Sequence, residues 1–125
     1  MSDLLKSLHS SAAAMRAQAT RLRTVSENIA NADTPGFHRK IASFKQTSEG
    51  FVEVAQTRLD RSELERVFEP GNPLADDSGY YEGSNVNLII EIADAREAQR
   101  SYEANLKVFD QARQMAQSLF ELIRR

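Results

Sequence analysis

His9 and His38 are the histidines of this chain, Asp76 and Asp77 stand side by side, and cysteine is absent. Imidazoles and carboxylates are the raw material of metal and acid–base sites, but such sites need them at spacings that converge on one point. Neither histidine lies in an HExxH-type or other ligand spacing. His9 follows Leu8 and reads as a helix-surface side chain, while Asp76-Asp77 runs into Ser78-Gly79 as a solvated turn does. Without cysteine there is no thiolate ligand, no disulfide and no cysteine nucleophile. Phosphate-binding loops, GxGxxG and GxSxG are missing too. The expectation is therefore no catalytic residue, no metal and no cofactor. An enzyme reading would require an ordered ligand near His38 or Asp76.

The stretch that does stand out is NIANADTPGFHRK, residues 28–40. Much of it is ordinary helix termination. Asn31 suits a helix C-terminus, Asp33 and Thr34 can bond local backbone groups, Pro35 cannot continue a helix, and Gly36 permits positive φ. Termination leaves unexplained why Phe37, His38, Arg39 and Lys40 follow at once, directing a ring and three polar or basic groups into one corner.

Two long helices are predicted to position that corner. Met1, Leu5, Leu8, Ala12, Met15, Ala19, Leu22, Ser26 and Ile29 are spaced alternately four and three apart, a heptad seam. A helix over residues 3–32 would be a rod of about 45 Å, whose stripe needs a partner helix. A second helix begins after EGSNVN, capped by Asn85 or Asn87, with Glu91 near the positive end of its dipole. Its seam runs through Leu88, Ile92, Ala95, Gln99, Tyr102, Leu106, Phe109, Arg113, Ala116, Phe120 and Ile123. A further row, Val108, Ala112, Met115, Leu119 and Leu122, widens the apolar face toward the end, so one partner helix cannot cover it. Glu103 is placed to pair with Lys107 on the outside.

Between the helices, GFVEVAQ (residues 50–56) and RVF (66–68) read as short strands, marginal by themselves, inside a segment punctuated by Pro70, Gly71, Pro73, Gly79 and Gly83. The fold class is mainly α, with long terminal helices pairing as a coiled coil around a small β-containing insert. The expected organisation is residues 1–44 for the first helix and the corner, 45–84 for the insert and 85–125 for the second helix, the outer segments forming one discontinuous helical domain. With 125 residues and 41% hydrophobic side chains there is room for one modest domain. The net charge is −2, and the insert is its acidic part, with three Lys/Arg against nine Asp/Glu in residues 46–84. No basic tract argues for nucleic acid, and no apolar span of membrane length is present. The N-terminus does not read as a cleaved signal peptide.

ANADTPGF, residues 30–37, resembles the Ala-Asn-x-x-Thr-Pro-Gly-Tyr/Phe motif of flagellar rod and hook proteins, with Asn31, Thr34, Pro35 and Gly36 matching and Phe37 where many relatives have tyrosine. NVNLIIEIADAREAQRSYEANLKVFDQA, residues 85–112, resembles the C-terminal helix of the same superfamily. FEPGNPLADDSGYY, residues 68–81, is similar to the Asp-Pro-Gly-x-Pro-x-Ala-Asp segment of a proximal-rod member, with Glu69 in place of aspartate.

The resemblance implies a structural subunit, exported by the flagellar type III apparatus, of a hollow rod that crosses the periplasm, transmits torque and surrounds an export channel. Implied partners are copies of itself, the rod proteins FlgB, FlgF and FlgG, and the junction of the rod base with the MS ring. Asn31 to Phe37 would turn the chain outward at a fixed point, with Phe37 docking on an adjacent helix or subunit. Leu5, Leu8, Met15, Leu22 and Ile29, with Leu88, Ile92, Tyr102, Leu106, Phe109, Met115, Leu119, Phe120 and Ile123, would form the assembly interface. The isolated monomer would be poorly ordered at both ends. The competing expectation is a dimeric helical secretion chaperone or adaptor, which would also show two amphipathic helices and no active site.

Overall fold

A computed structural model describes residues 2–124. Met1, the first position of the seam, lies outside the described residues. Helix α1 spans Ser2–Ala30 and helix α2 Leu88–Arg124. Four strands lie between them: β1 Lys40–Gln46, β2 Val52–Leu59, β3 Arg66–Phe68 and β4 Tyr80–Glu82. The helices run antiparallel. Leu4, Leu5 and Leu8 near the start of α1 share a groove with Ala116 to Ile123 of α2, while Asn28 near the end of α1 bonds Glu91 at the start of α2. At about 1.5 Å per residue the 37 residues of α2 span roughly 55 Å.

Several of the most deeply buried helix positions sit one residue before the seam that hydropathy marks out. On α1 the buried positions include Ser11, Val25 and Asn28, each just before the seam residues Ala12, Ser26 and Ile29. On α2 they are Glu91, Ala98 and Ala112, each just before Ile92, Gln99 and Arg113. One residue is a rotation of about 100° about a helix. These deeply buried positions carry small and polar side chains, which let the backbones approach closely, whereas the large apolar residues that hydropathy follows are half-buried or exposed. Arg21 reinforces the helix contact, bridging to Asp94 at 3.2 Å and Glu97 at 3.3 Å on α2. Glu103 and Lys107 are both exposed and make no ion pair with each other.

Strands β1 and β2 form an antiparallel hairpin, from Lys40 opposite Leu59 to Gln46 opposite Val52, with a bulge between Ser43 and Phe44. β1 was not apparent in the sequence: KIASFKQ alternates too weakly to signal a strand, and its pairing with β2 makes it one. β2 runs on to Leu59, three residues beyond GFVEVAQ. The tip closes through Thr47 N to Phe51 O at 2.7 Å, with Gly50 at φ +90°. One face lies on α1, where Ala13, Ala17 and Thr20 share a cavity with Thr47, Phe51, Val52 and Val54. His9 sits beside Phe51 with ring centroids 6.2 Å apart. RVF pairs not with β2 but with β4, Phe68 opposite Tyr80. Phe68 and Tyr80 rings lie 5.0 Å apart, and the Arg66 guanidinium sits 4.7 Å over Tyr80. A side chain at Gly79, whose φ is +86°, would put a Cβ 2.8 Å from the Phe68 ring.

Candidate assembly site

The corner after α1 is built by hydrogen bonds at every step. Asn31 caps the helix end, its Nδ2 donating to Glu27 O at 2.8 Å and its Oδ1 accepting from Thr34 Oγ1 at 3.1 Å. Gly36 adopts φ +75°, a conformation that disfavours other residues, and its N–H reaches Gly83 O at 2.9 Å. Ser84 Oγ donates to Ala32 O, and Phe37 O accepts from Asn85 N at 3.3 Å. The Thr34-Pro35-Gly36 turn is thereby tied to the lead-in of α2. Phe37 is half-buried, while Thr34 and Pro35 are exposed.

Immediately beyond lies a polar node that the sequence did not disclose. Asn28 clasps Lys40 at both backbone groups, Oδ1 accepting from Lys40 N at 2.8 Å and Nδ2 donating to Lys40 O at 2.9 Å. The same Nδ2 lies 3.2 Å from Glu91 Oε2, and Arg39 Nε donates to Glu91 Oε1 at 2.6 Å. Arg39 also approaches Asp60 at 3.5 Å and Asp94 at 3.7 Å. Asn85 accepts from Arg39 N at 2.6 Å and donates to Asp60 O at 2.8 Å. Asp60 N returns to Arg39 O at 2.8 Å, closing the base of the β1–β2 hairpin.

Glu91 is 0% exposed and Asn28 1%, so the node is an interior structure. Burying a carboxylate is costly unless it is paired and hydrogen-bonded, and here Glu91 has both a partner and a further hydrogen bond. Burial opposes the Arg39 charge, but bonding to and attraction by Glu91, then Asp60, outweigh it and raise its pKa above the ordinary value. Asp60 is held below the usual carboxylate range by the Ser62 N–H and hydroxyl first and by Arg39 after them.

The node resolves what the residues following Gly36 are for. Arg39 and Lys40 carry the hairpin's attachment, Lys40 Nζ pairs with Glu27 at 2.9 Å, and His38 Nδ1 lies 3.1 Å from Asp60 O. Of the two expected caps it is Asn87 that acts, accepting from Ile89 N at 3.0 Å and Ile90 N at 3.4 Å. Asn85 and Glu91 belong to the node. One signal was present beforehand: an Asn and an Arg flanking a helix stop, with no exposed charge pattern to explain them.

The seam residues fall into distinct places. Leu5, Leu8, Leu119, Phe120 and Ile123 come together around the groove between the start of α1 and the end of α2. Leu8, Met15, Leu22, Tyr102 and Phe109 are half-buried, whereas Ile29, Leu88, Ile92, Leu106 and Met115 remain exposed. Phe120 is 62% exposed and Ile123 75%, with Leu122 beside them. Leu88 and Ile92 lie at the other end of α2, next to Ile89 at 80% exposure.

Among the described residues no group of three or more His, Asp or Glu side chains is placed to hold a metal ion, and no helix is long and apolar enough to cross a membrane. Asp76 serves a turn, its Oδ1 accepting from Ser78 N at 2.9 Å and Tyr80 N at 3.1 Å.

An antiparallel helix pair with a tied Thr-Pro-Gly corner and uncovered apolar ends is the architecture of an assembly subunit. Residues 8–38 match the family described as Flagella basal body rod protein, and residues 77–122 match the Flagellar basal body rod FlgEFG protein C-terminal family. Three relatives are each named flagellar basal-body rod protein FlgC. That of Agrobacterium fabrum is 43% identical over 122 residues, covering 88% of this chain and 88% of its own. That of Aquifex aeolicus is 34% identical over 97% of this chain and 98% of its own. That of Salmonella typhimurium is 34% identical over 82% of this chain and 84% of its own. The chain belongs to the FlgC family of flagellar basal-body rod proteins. It is a structural subunit of the flagellar basal body and assembles with other rod components. Nothing supports the chaperone or adaptor alternative.

Proposed function

We propose that the subunit is one stave of a hollow shaft, packing against copies of itself and against FlgB, FlgF and FlgG. At one end it would meet the junction of the rod base with the MS ring. The shaft would cross the periplasm, carry torque and enclose the channel of the type III export apparatus. The observation that carries this reading is the apolar surface left over once α1 and α2 have packed on each other, above all Phe120, Leu122 and Ile123. Covering each such side chain contributes about 1.5–3 kcal/mol. Repeated at every subunit, that is what a shaft stiff under twist requires.

In this reading Asn31 to Phe37 fixes where the inner helix ends, and the acidic insert faces outward, where its charge steers contacts or keeps the exported chain soluble. The decisive experiment is a chain carrying Phe120→Asp and Ile123→Asp. Its helix content should match the parent while rod assembly and motility are lost. Normal motility in that variant would refute the reading.

A further inference from the structure

We infer that Arg39 and Glu91, with Asn28 and Asn85, are the positioning residues that set the direction of the β1–β2 hairpin relative to the helix pair, and that they couple this direction to the pairing of the helices. The inference goes beyond the assembly reading: it concerns the shape a subunit brings to its neighbours, not which neighbours they are.

The geometry allows little else at the hairpin's base. Both strands leave the body within two residues of the node, β1 at Lys40 and β2 at Leu59. Lys40 is held at both backbone groups by Asn28 from α1, and Arg39 is held by Glu91 from α2 and Asn85 ahead of it. The residue after β2, Asp60, is bound to Arg39 through its backbone N–H, and its carbonyl to Asn85. Three segments distant in sequence, the end of α1, the end of β2 and the start of α2 with its lead-in, therefore meet on residues 39 and 40. The node can close only after α1 and α2 lie side by side, because Asn28 and Glu91 come from different helices.

Removing one partner of the buried pair strands the other charge, so a partly formed node is disfavoured and the arrangement is close to all-or-none. A chain that arrives unfolded thus acquires its hairpin direction from helix pairing. The rival anchor is the hairpin tip, where Phe51 meets His9 and the Ala13–Ala17 face.

Because the chain has no cysteine, spin labels can be placed at Ser48→Cys on the exposed tip and Glu103→Cys on the exposed side of α2. In the full chain the distance between them should be single and narrow. Arg39→Ala should lose that single distance in favour of a broad distribution while helix content stays unchanged. Glu91→Gln, which keeps one acceptor oxygen for Arg39 but turns an NH2 donor toward Asn28 Nδ2 and removes the charge, should broaden it less. Phe51→Ala should leave the mean distance in place. A narrow, unshifted distance in both Arg39→Ala and Glu91→Gln, or a broad one in Phe51→Ala alone, would overturn the inference. Should Arg39→Ala fail to fold, Arg39→Lys supplies the comparison, since it retains charge but cannot reach Glu91, Asp60 and Asp94 together. These distances are read on the unassembled chain, so they stand or fall independently of rod formation.

Discussion

The two ends of the helix pair are built on opposite terms. At the corner end, Asn28, Arg39, Asn85 and Glu91 bond one another across four segments, and Glu91 is 0% exposed. At the far end, Leu5, Leu119, Phe120 and Ile123 line a groove with no polar group among its lining residues, and Ile123 is 75% exposed. Directional bonds fix a geometry, because each donor has one place to go, whereas apolar area is non-directional and rewards whatever covers it. The corner is where the subunit determines its own shape. The far end has no such bonds and offers apolar area alone, as the exposed Leu88, Ile89 and Ile92 do near the corner.

The sharpest way to break that contrast is to remove a charge at the corner. Glu91→Ala removes the shortest of the three ion pairs of Arg39 and a bond of Asn28, leaving Arg39 with the longer contacts to Asp60 and Asp94, and should cost about 1.5–3 kcal/mol of stability. Denaturant unfolding would measure it, and a loss no larger than a surface substitution gives would mean that the node is dispensable. Next in size, Gly36→Ala should cost about 1 kcal/mol, because φ +75° is strained for any side chain although nothing lies within 4 Å of the added Cβ. Pro35→Ala should loosen the exit angle and weaken rod assembly more than it weakens the isolated chain.

At the far end the order reverses. Leu122→Gln should change the stability of the isolated chain by less than about 0.5 kcal/mol, since it replaces one exposed side chain by another. Assembly should nonetheless fall. The smallest effect concerns pH. Asp60 has a folded-state pKa below its ordinary 3.8, so its contribution is fully present above that value and is lost as pH falls through the lower folded value. An acid titration of unfolding should show stability flat at neutral pH and declining only below the ordinary carboxylate range. Asp60→Asn should remove part of that decline.

How much of this was legible in the sequence follows the same division. The two helices announced themselves because large apolar residues recur at helical spacing, and the Thr-Pro-Gly corner because proline and glycine each have a single conformational consequence there. The deeply buried helix positions were only partly legible: Ala112 stands in the second apolar row, but Ala98 and Ser11 are small, and small residues carry little hydropathy. Glu91 was assigned to the helix dipole because sequence shows its position on α2 but not Arg39, 52 residues away, which makes its burial possible. Strand β1 depends on its partner rather than on its own alternation. Non-local pairings of this kind leave no local trace.

The central claim, that the far end is covered by neighbours in the rod, can be tested with a single thiol. Leu122→Cys introduces the chain's one cysteine at a position 65% exposed in the subunit. Maleimide should modify it rapidly in the isolated chain and slowly, if at all, in purified basal bodies. Equal reactivity in the two would show that this surface stays open in the assembled rod and would contradict the account.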